Sequence, residues 1–519
     1  VDRGRLSVQD RSVPTRSRLW LLFTGLALGL LLSELDQTMF ATALPTVVGE
    51  LNGVSDMLWV NTVYILTGTI TMPVYGHLSD RVGRKPLLVA GLLVFLAGSV
   101  LGGLASGMGT LILARAVQGL GGGGMIILVQ AVVADVVPAR DRAPYLSAIG
   151  AVFAVSALAG PLLGGWLTDG VGWRWAFWVN LPLGGLALLA VALLLDEPRR
   201  SPGRVRLDVG GFSTLSLAVT AVVLLASWGG TRYAWDSPVV LGLGACAVAA
   251  TAGFVVAERR AVSPIIPLGL FADRTFTAAV VAGLVLAVAM FGTVGYLPTY
   301  LQMVTGLTPT AAGLAMLTLI AGLALSTVGS AQLVRRTGRY RTLPLVGAGL
   351  TAAALGLLAT LTPATPLWLC GGYLFLLGLG IGCAWEVLVV VVQNSAPDAV
   401  VGTATAANSF FREIGVCLGS AVVGALFTAR LGTLLAERLP GPALDQQSLT
   451  PALVHGLPEE VQQVVAGAYN DALTPVFGLL VPVVLVAVAA LLGVREVPLA
   501  TTVAEPAAAE VAAPADRSR

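Results

Sequence analysis

The chain has 519 residues, 56% of them hydrophobic and only 11% charged, with a mean hydropathy of +0.86. A water-soluble domain of this composition lacks the polar surface to cover its core, which excludes a soluble enzyme, a nucleic-acid binder and a disordered chain. A net charge of +2 points to no polyanionic partner, so what remains is an all-α polytopic membrane protein.

A spanning helix needs about 20 mostly apolar residues. Fourteen such runs follow in order: 19–45, 57–77, 87–107, 109–137, 143–168, 174–195, 207–229, 238–257, 275–304, 310–334, 343–362, 367–395, 401–428 and 471–494. The first is too long for a signal peptide and contains Glu34 and Asp36. With the N-terminus in the cytoplasm, Arg174, Arg232, Arg430 and Arg438 fall in outer segments, and Arg115 and Arg412 fall inside runs. The other 24 of the 30 Lys and Arg residues lie on the cytoplasmic side. The positive-inside rule therefore predicts an even number of spans with both termini cytoplasmic.

The chain repeats itself. Leu44-Pro45-Thr46 returns as Leu297-Pro298-Thr299, and Leu78-x-x-Arg81-x-Gly83-Arg84 returns as Leu333-x-x-Arg336-x-Gly338-Arg339. Gly119-Leu120-Gly121 and Pro138 return as Gly378-Leu379-Gly380 and Pro397, and Gly160 returns as Gly419. The offset drifts only from 253 to 259, which predicts two like halves around an insert, arranged 6+2+6. The expected units are a basic N-terminus (1–18), a first half (19–195) and two inserted helices (196–260). A second half (261–495) with an outer loop (429–470) and a disordered tail (496–519) complete the chain. Pro458-Glu459-Glu460 is expected to open a short helix within that loop.

Catalytic and metal inventories are thin. Cys246, Cys370, Cys383 and Cys417 lie in apolar stretches without paired spacing, and His77 and His455 are far apart. No metal site is expected, and no phosphate-binding GxxxxGK[ST] loop exists. A multispan enzyme needs catalytic side chains in an interfacial loop, and the loops here are short and carry mostly arginines.

The loop between runs 2 and 3 reads Gly76-His77-Leu78-Ser79-Asp80-Arg81-Val82-Gly83-Arg84-Lys85. It resembles the signature loop GxLaDRxGRKxx of the major facilitator superfamily. His77 is the loose fit, read as a solvated variant. Run 4 carries Arg115-Ala116-Val117-Gln118-Gly119, similar to that family's RxxQG motif. Run 5 carries Gly160-Pro161-Leu162-Leu163-Gly164-Gly165, which looks like its GPxxGG antiporter motif. Leu35-Asp36-Gln37-Thr38 with Ala43-Leu44-Pro45, and Trp173-Arg174-Trp175-Ala176-Phe177-Trp178-Val179-Asn180-Leu181-Pro182, resemble the 14-helix drug:proton antiporter branch of EmrB/QacA type. The three tryptophans read as an aromatic belt anchor, and the Gly160–Gly165 stretch also as close helix packing.

The resemblance implies the major facilitator fold with 14 transmembrane helices. It also implies alternating-access export of small lipophilic, often cationic, compounds across a bacterial cytoplasmic membrane, working as a monomer in membrane lipid. Protons are the driving partner and no cofactor is needed; export of a metabolite or a lipid is the alternative. Asp80, Arg84 and Asp135 would form a cytoplasmic cluster that latches one conformation, with Gly76, Arg81, Gly83 and Lys85 completing the gating loop. Charged residues inside a bilayer are costly and default to functional candidates. Asp36, Arg115, Glu386, Arg412 and Glu413 are accordingly the candidates for proton coupling and cation binding, with Asp36 and Glu413 as essential acids and Glu386 as a substrate selector. Glu34 lies about 200° round the helix from Asp36 and reads as a structural pair partner. Arg335 stands where the repeat has Asp80, so the latch is expected on one side only. Phe291, Tyr296, Tyr300, Met303, Met316 and Trp385 are candidate lining for the substrate cavity.

Overall fold

The computed structural model describes residues 16–51, 56–195, 208–230, 232–439, 454 and 458–499. The basic N-terminus up to residue 15, residues 196–207, most of segment 440–457 and the tail from residue 500 lie outside the described residues. Regular structure is helical in the described residues. In chain order it comprises α1 (Arg16–Glu50), α2 (Met57–Val82), α3 (Arg84–Gly103), α4 (Met108–Gly122), α5 (Met125–Val136), α6 (Arg142–Asp169), α7 (Trp175–Trp178), α8 (Asn180–Leu194) and α9 (Val209–Trp228). There follow α10 (Pro238–Arg260), α11 (Arg274–Val294), α12 (Leu297–Thr305), α13 (Pro309–Thr337), α14 (Thr342–Leu358), α15 (Leu367–Ser395), α16 (Val401–Arg438) and α17 (Glu459–Leu492).

Among the described residues, eleven spans are long and apolar enough to cross a bilayer, counting α4–α5, α7–α8 and α11–α12 as one each. Three more helices stand beside these. α14 is apolar but has 17 residues. α1 and α2 are longer, at 35 and 26 residues. Many apolar side chains face outward, Leu162 at 75% and Leu193 at 70% exposure among them, which only a lipid surround makes favourable.

Packing repeats as the sequence does. α1 packs on α6 and α8, α2 on α4, and α3 on α4 and α8. In the same pattern α11 packs on α16 and α17, α13 on α15, and α14 on α15 and α17. The two groups meet where α2 lies against α16 and α6 lies against α13. α9 and α10 pack on each other, and α9 also touches α2 and α16, covering that seam from outside.

The predicted outer loop 429–470 is shorter than expected. α16 continues to Arg438, and the acids after Pro458 open α17 itself rather than a separate helix. Leu431 and Leu435 of α16 join one apolar core with Val465 and Ala468 of α17, and Arg438 pairs with Asp471 at 2.6 Å.

At the arginine-rich end the α2/α16 seam is very close. A Cβ on Gly76 would overlap Ala406 and stand 2.9 Å from the Gly402 carbonyl. Nearby, Gln393 of α15 donates to the Gln130 carbonyl of α5 at 3.1 Å, tying the two groups again. Gly76→Val is expected to force this end open while leaving the protein inserted. A cysteine replacing the fully buried Gln130 should then react several-fold faster with a thiol reagent supplied from that side. Unchanged labelling would show that the seam does not depend on this contact.

Candidate functional site

The first candidate centre forms inside the first group of helices. Asp36 of α1 is 2% exposed and Arg115 of α4 is fully buried. Arg115 Nη1 donates to Asp36 Oδ2 and, at 2.9 Å, to Gln118 Oε1. Gln118, three residues on and so on the same helix face, donates to Asp36 Oδ1 at 3.0 Å and to Ser99 Oγ at 3.0 Å. Asn180 of α8 donates to the same Asp36 oxygen at 2.6 Å and to Ser99 at 3.1 Å. The Arg115 guanidinium sits over the rings of Tyr64 (4.4 Å) and Phe40 (4.8 Å), whose faces attract a cation. Asp36 is thus enclosed by donors from two helices besides its own.

Glu34 does not join this network, and the expectation of a structural pair partner is corrected. It carries no ion pair among the described residues, and it lies within range of the charge of Glu413 on α16. Two residues from Asp36 places it on the opposite face of α1, toward the second group of helices.

The signature loop builds a second centre. Gly83, at φ 107°, takes a conformation that side chains rarely adopt and turns α2 directly into α3. Arg84 is then buried between Asp80 (2.6 Å) and Asp135 (3.1 Å). Asp80 reaches across the seam: its oxygens accept from the backbone N–H of Gly402 at 3.0 Å and of Thr403 at 2.7 Å, and from Thr403 Oγ1 at 2.7 Å. These amides belong to the first turn of α16, where free N–H groups and the helix dipole attract an anion. Lys85 donates to the carbonyls of Ala192 (2.7 Å) and Leu195 (2.9 Å) at the end of α8. Arg81 is exposed beside them.

A latch on one side only is not what forms. Across the other seam Arg140 donates to the carbonyls of Arg335 and Arg336, both at 3.2 Å, at the C-terminus of α13. Arg335 contributes its backbone, which needs no acid at that position.

In the second group, Glu386 of α15 and Arg412 of α16 are buried, at 4% and 6% exposure. The Arg412 guanidinium lies 4.1 Å over the Trp385 ring and feels the charges of both Glu386 and Glu413. Glu413 itself is half-buried.

The antiporter motif packs α6 on α1. A Cβ on Gly160 would overlap Thr38, and one on Gly164 would stand 2.9 Å from the Met39 Cα. Thr38 Oγ1 donates to the Ser156 carbonyl at 3.0 Å, within the turn where Pro161 interrupts the helix ladder. Pro161 is exposed, and Gly165 has open space around it, so close packing covers only part of the motif.

Three of the expected cavity residues go elsewhere. Tyr300 is 1% exposed and donates to Asn470 Oδ1 at 2.8 Å, and Met303 is buried in the same core. Tyr296 packs on Phe427 at 5.6 Å and donates to the Ser420 carbonyl at 3.4 Å. All three bind α12 to its neighbours. Trp385 lies beside Arg412, and Phe291 is half-buried. Two further readings change. His77 is buried rather than solvated, its Nε2 3.1 Å from Ser263 Oγ. Trp173 is 2% exposed with its indole N–H on Glu50 at 2.7 Å, so it is core, whereas Trp175 is half exposed. Gln118, Asn180 and Ser99 went unnamed as site residues. The first two stand inside the RxxQG and Trp-rich motifs, which was the available signal.

The chain matches the sequence profile of the Major Facilitator Superfamily over residues 26–420. It is 40% identical to the uncharacterized MFS-type transporter Rv1877 of Mycobacterium tuberculosis (strain ATCC 25618 / H37Rv), across 92% of this chain and 70% of that one. It is 35% identical to the multidrug transporter protein MdtP of Bacillus subtilis (strain 168), across 83% and 79%. Among solved structures it is similar to the human organic anion transporter MFSD10, with a TM-score of 0.61 and 16% identity over 91% of this chain and 99% of that one. A profile match over most of its length, relatives at this identity, and a fold shared with solved members make the chain a transporter that belongs to the major facilitator superfamily.

Proposed function

We propose that the chain is a proton-coupled antiporter of EmrB/QacA type that exports lipophilic, often cationic, small molecules across the cytoplasmic membrane by alternating access. On this reading α1, α2 and α14 join the eleven apolar spans to make fourteen, arranged 6+2+6 with both termini and the arginine-rich end in the cytoplasm. The working unit is a monomer. Relatives named as a multidrug transporter and an efflux pump support the direction of transport.

One observation carries the coupling: carboxyls from the two groups of helices, Glu34 on α1 and Glu413 on α16, lie within electrostatic range of each other. Two ionised carboxylates there repel, and a proton taken up by one removes the repulsion. Rocking one half against the other changes their separation and so links proton binding to conformation. Asp36 and Arg115 serve as the fixed charge behind this pair. The ties of Asp80 to α16 and of Arg140 to α13 hold the cytoplasmic end shut, so this structure corresponds to the arrangement closed toward the cytoplasm.

In proteoliposomes carrying the purified protein and a fluorescent cationic dye, dye export should be accompanied by opposite proton movement. Glu413→Gln, Glu34→Gln and Asp36→Asn should each lower proton-driven export at least tenfold. Dye export without proton movement, or full coupling in Glu413→Gln, would overturn this reading.

Asp80→Asn keeps the side-chain shape and removes the charge facing the α16 N-terminus, a contact of about 0.3–2 kcal/mol. The variant should insert normally, show raised accessibility of the cytoplasmic cavity to thiol reagents, and transport several-fold more slowly. Wild-type transport rates would show that the latch does not govern turnover.

A further inference from the structure

The pair Glu386 and Arg412 is unlike the other buried charges of this protein. Asp36 with Arg115, and Arg84 with Asp80 and Asp135, are in direct contact. Glu386 and Arg412 attract each other, yet no ion pair within 4.0 Å joins them. Neither Glu386 oxygen has a hydrogen-bond partner among the described residues, and neither do Arg412 Nε and Nη1. One turn before Arg412 on the same face of α16, Asn408 is fully buried with both amide atoms unpartnered, and the buried Ser409 hydroxyl is unpartnered beside it.

Buried opposite charges ordinarily close into contact, because separation leaves both desolvated and uncompensated. Here the Trp385 ring holds the Arg412 guanidinium to one side. Two glycines keep the walls back. A Cβ on Gly150 of α6 would stand 3.8 Å from Glu386 Oε1, and one on Gly283 of α11 would stand 3.3 Å from Asn408 Oδ1 and 3.2 Å from Arg412 Cγ. Glu386 is nine residues from the end of α15 and Arg412 eleven from the start of α16, so both lie about 15 Å above the closed end. The group stands at one depth, above the latch and between the two halves.

We propose that this separated pair is a recognition site for zwitterionic amphiphiles. A cationic ammonium of the ligand bonds to Glu386, its carboxylate or comparable anionic group bonds to Arg412 and Asn408, and its apolar body extends over Trp385. This deepens the export reading above and rests on it, since it names the preferred substrate class of that transporter. A dipolar ligand satisfies both buried charges at once, whereas a simple cation leaves Arg412 uncompensated and a simple anion leaves Glu386 so.

The test uses three probes with one fluorescent body: Nε-dansyl-lysine, its methyl ester and its Nα-acetyl derivative, which present a zwitterion, a cation and an anion. Export of each from proteoliposomes is measured as kcat/KM, with the folded amount checked by size-exclusion chromatography. The zwitterion should exceed both derivatives about tenfold, the scale expected when one charge partner of a buried site is missing. Arg412→Gln should lower the ratio of zwitterion to ester export about tenfold and so remove that preference. Glu386→Gln should remove the preference over the acetyl derivative. Should Arg412→Gln fold poorly, Asn408→Ala should still lower the ratio of zwitterion to ester export several-fold. Equal handling of the three probes by the wild type, an equal loss for all three in Asn408→Ala or Arg412→Gln, or export of none of them would overturn the proposal. Proton-coupled export of a cationic dye in the same vesicles would meanwhile show that the export reading stands by itself.

Discussion

Helix ends are the constraint on which the closed end of this protein depends. Every helix that finishes there presents unpaired carbonyls and a negative pole, and every helix that begins there presents free N–H groups and a positive one. The charges at that end answer these poles with the right sign. Lys85 caps α8, Arg142 caps α5 through the carbonyls of Ala134 and Val137, Arg140 caps α13, and Arg341 caps α17 through Leu492. Asp80 answers the one start that matters most, at α16. Lys85 at the start of α3 and Arg341 just before α14 play like parts in the two halves, although the repeat aligns Lys85 with Tyr340. The arginine excess that a topology rule treats as an orientation signal is also the means by which the helices are joined.

The buried ion pairs, by contrast, do not follow the repeat. Asp36 and Arg115 bridge α1 and α4, while Glu386 and Arg412 stand on α15 and α16, opposite Ile127 and Phe153 of the first half. Duplication supplied two similar scaffolds, and the polar centres differ between them. One half holds a pair in direct contact and the other a separated one. That difference suits a division between a fixed electrostatic support and a surface that meets what is transported.

Much of the fold was legible because lipid imposes a coarse rule. Apolar runs of the right length had to be helices, and the motifs that carry Gly83 and Pro161 stood in a known order. The ends of α16 and α17 were missed because amphipathic packing of Leu431 and Leu435 against Val465 prolongs helices past the apolar run. Single-residue orientation was the harder matter. Tyr300 and Met303 have the chemistry of cavity lining, and only Asn470, 170 residues away, reveals that Tyr300 is held in the packing. Asp36 and Arg115 were readable as a pair of candidates. Their third and fourth partners, Gln118 and Asn180, are uncharged and so gave no cost argument to single them out.

His77, the residue that fitted the signature loop least, has a mechanical consequence. Its contact with Ser263 binds the segment after α10 to the arginine-rich end of α2, and the edge-on contact of Trp228 with Trp59 at 5.6 Å binds α9 to the opposite end of the same helix. The inserted pair is therefore held to α2 near both extremities of that helix, and it packs side by side on α16 along α9. In a rocking cycle α9 and α10 would travel with the first half and let α16 slide beneath them. The moving bodies are then unequal, and the extra mass of the inserted pair lies on one flank, so the two seams of the transporter would open to lipid by different amounts.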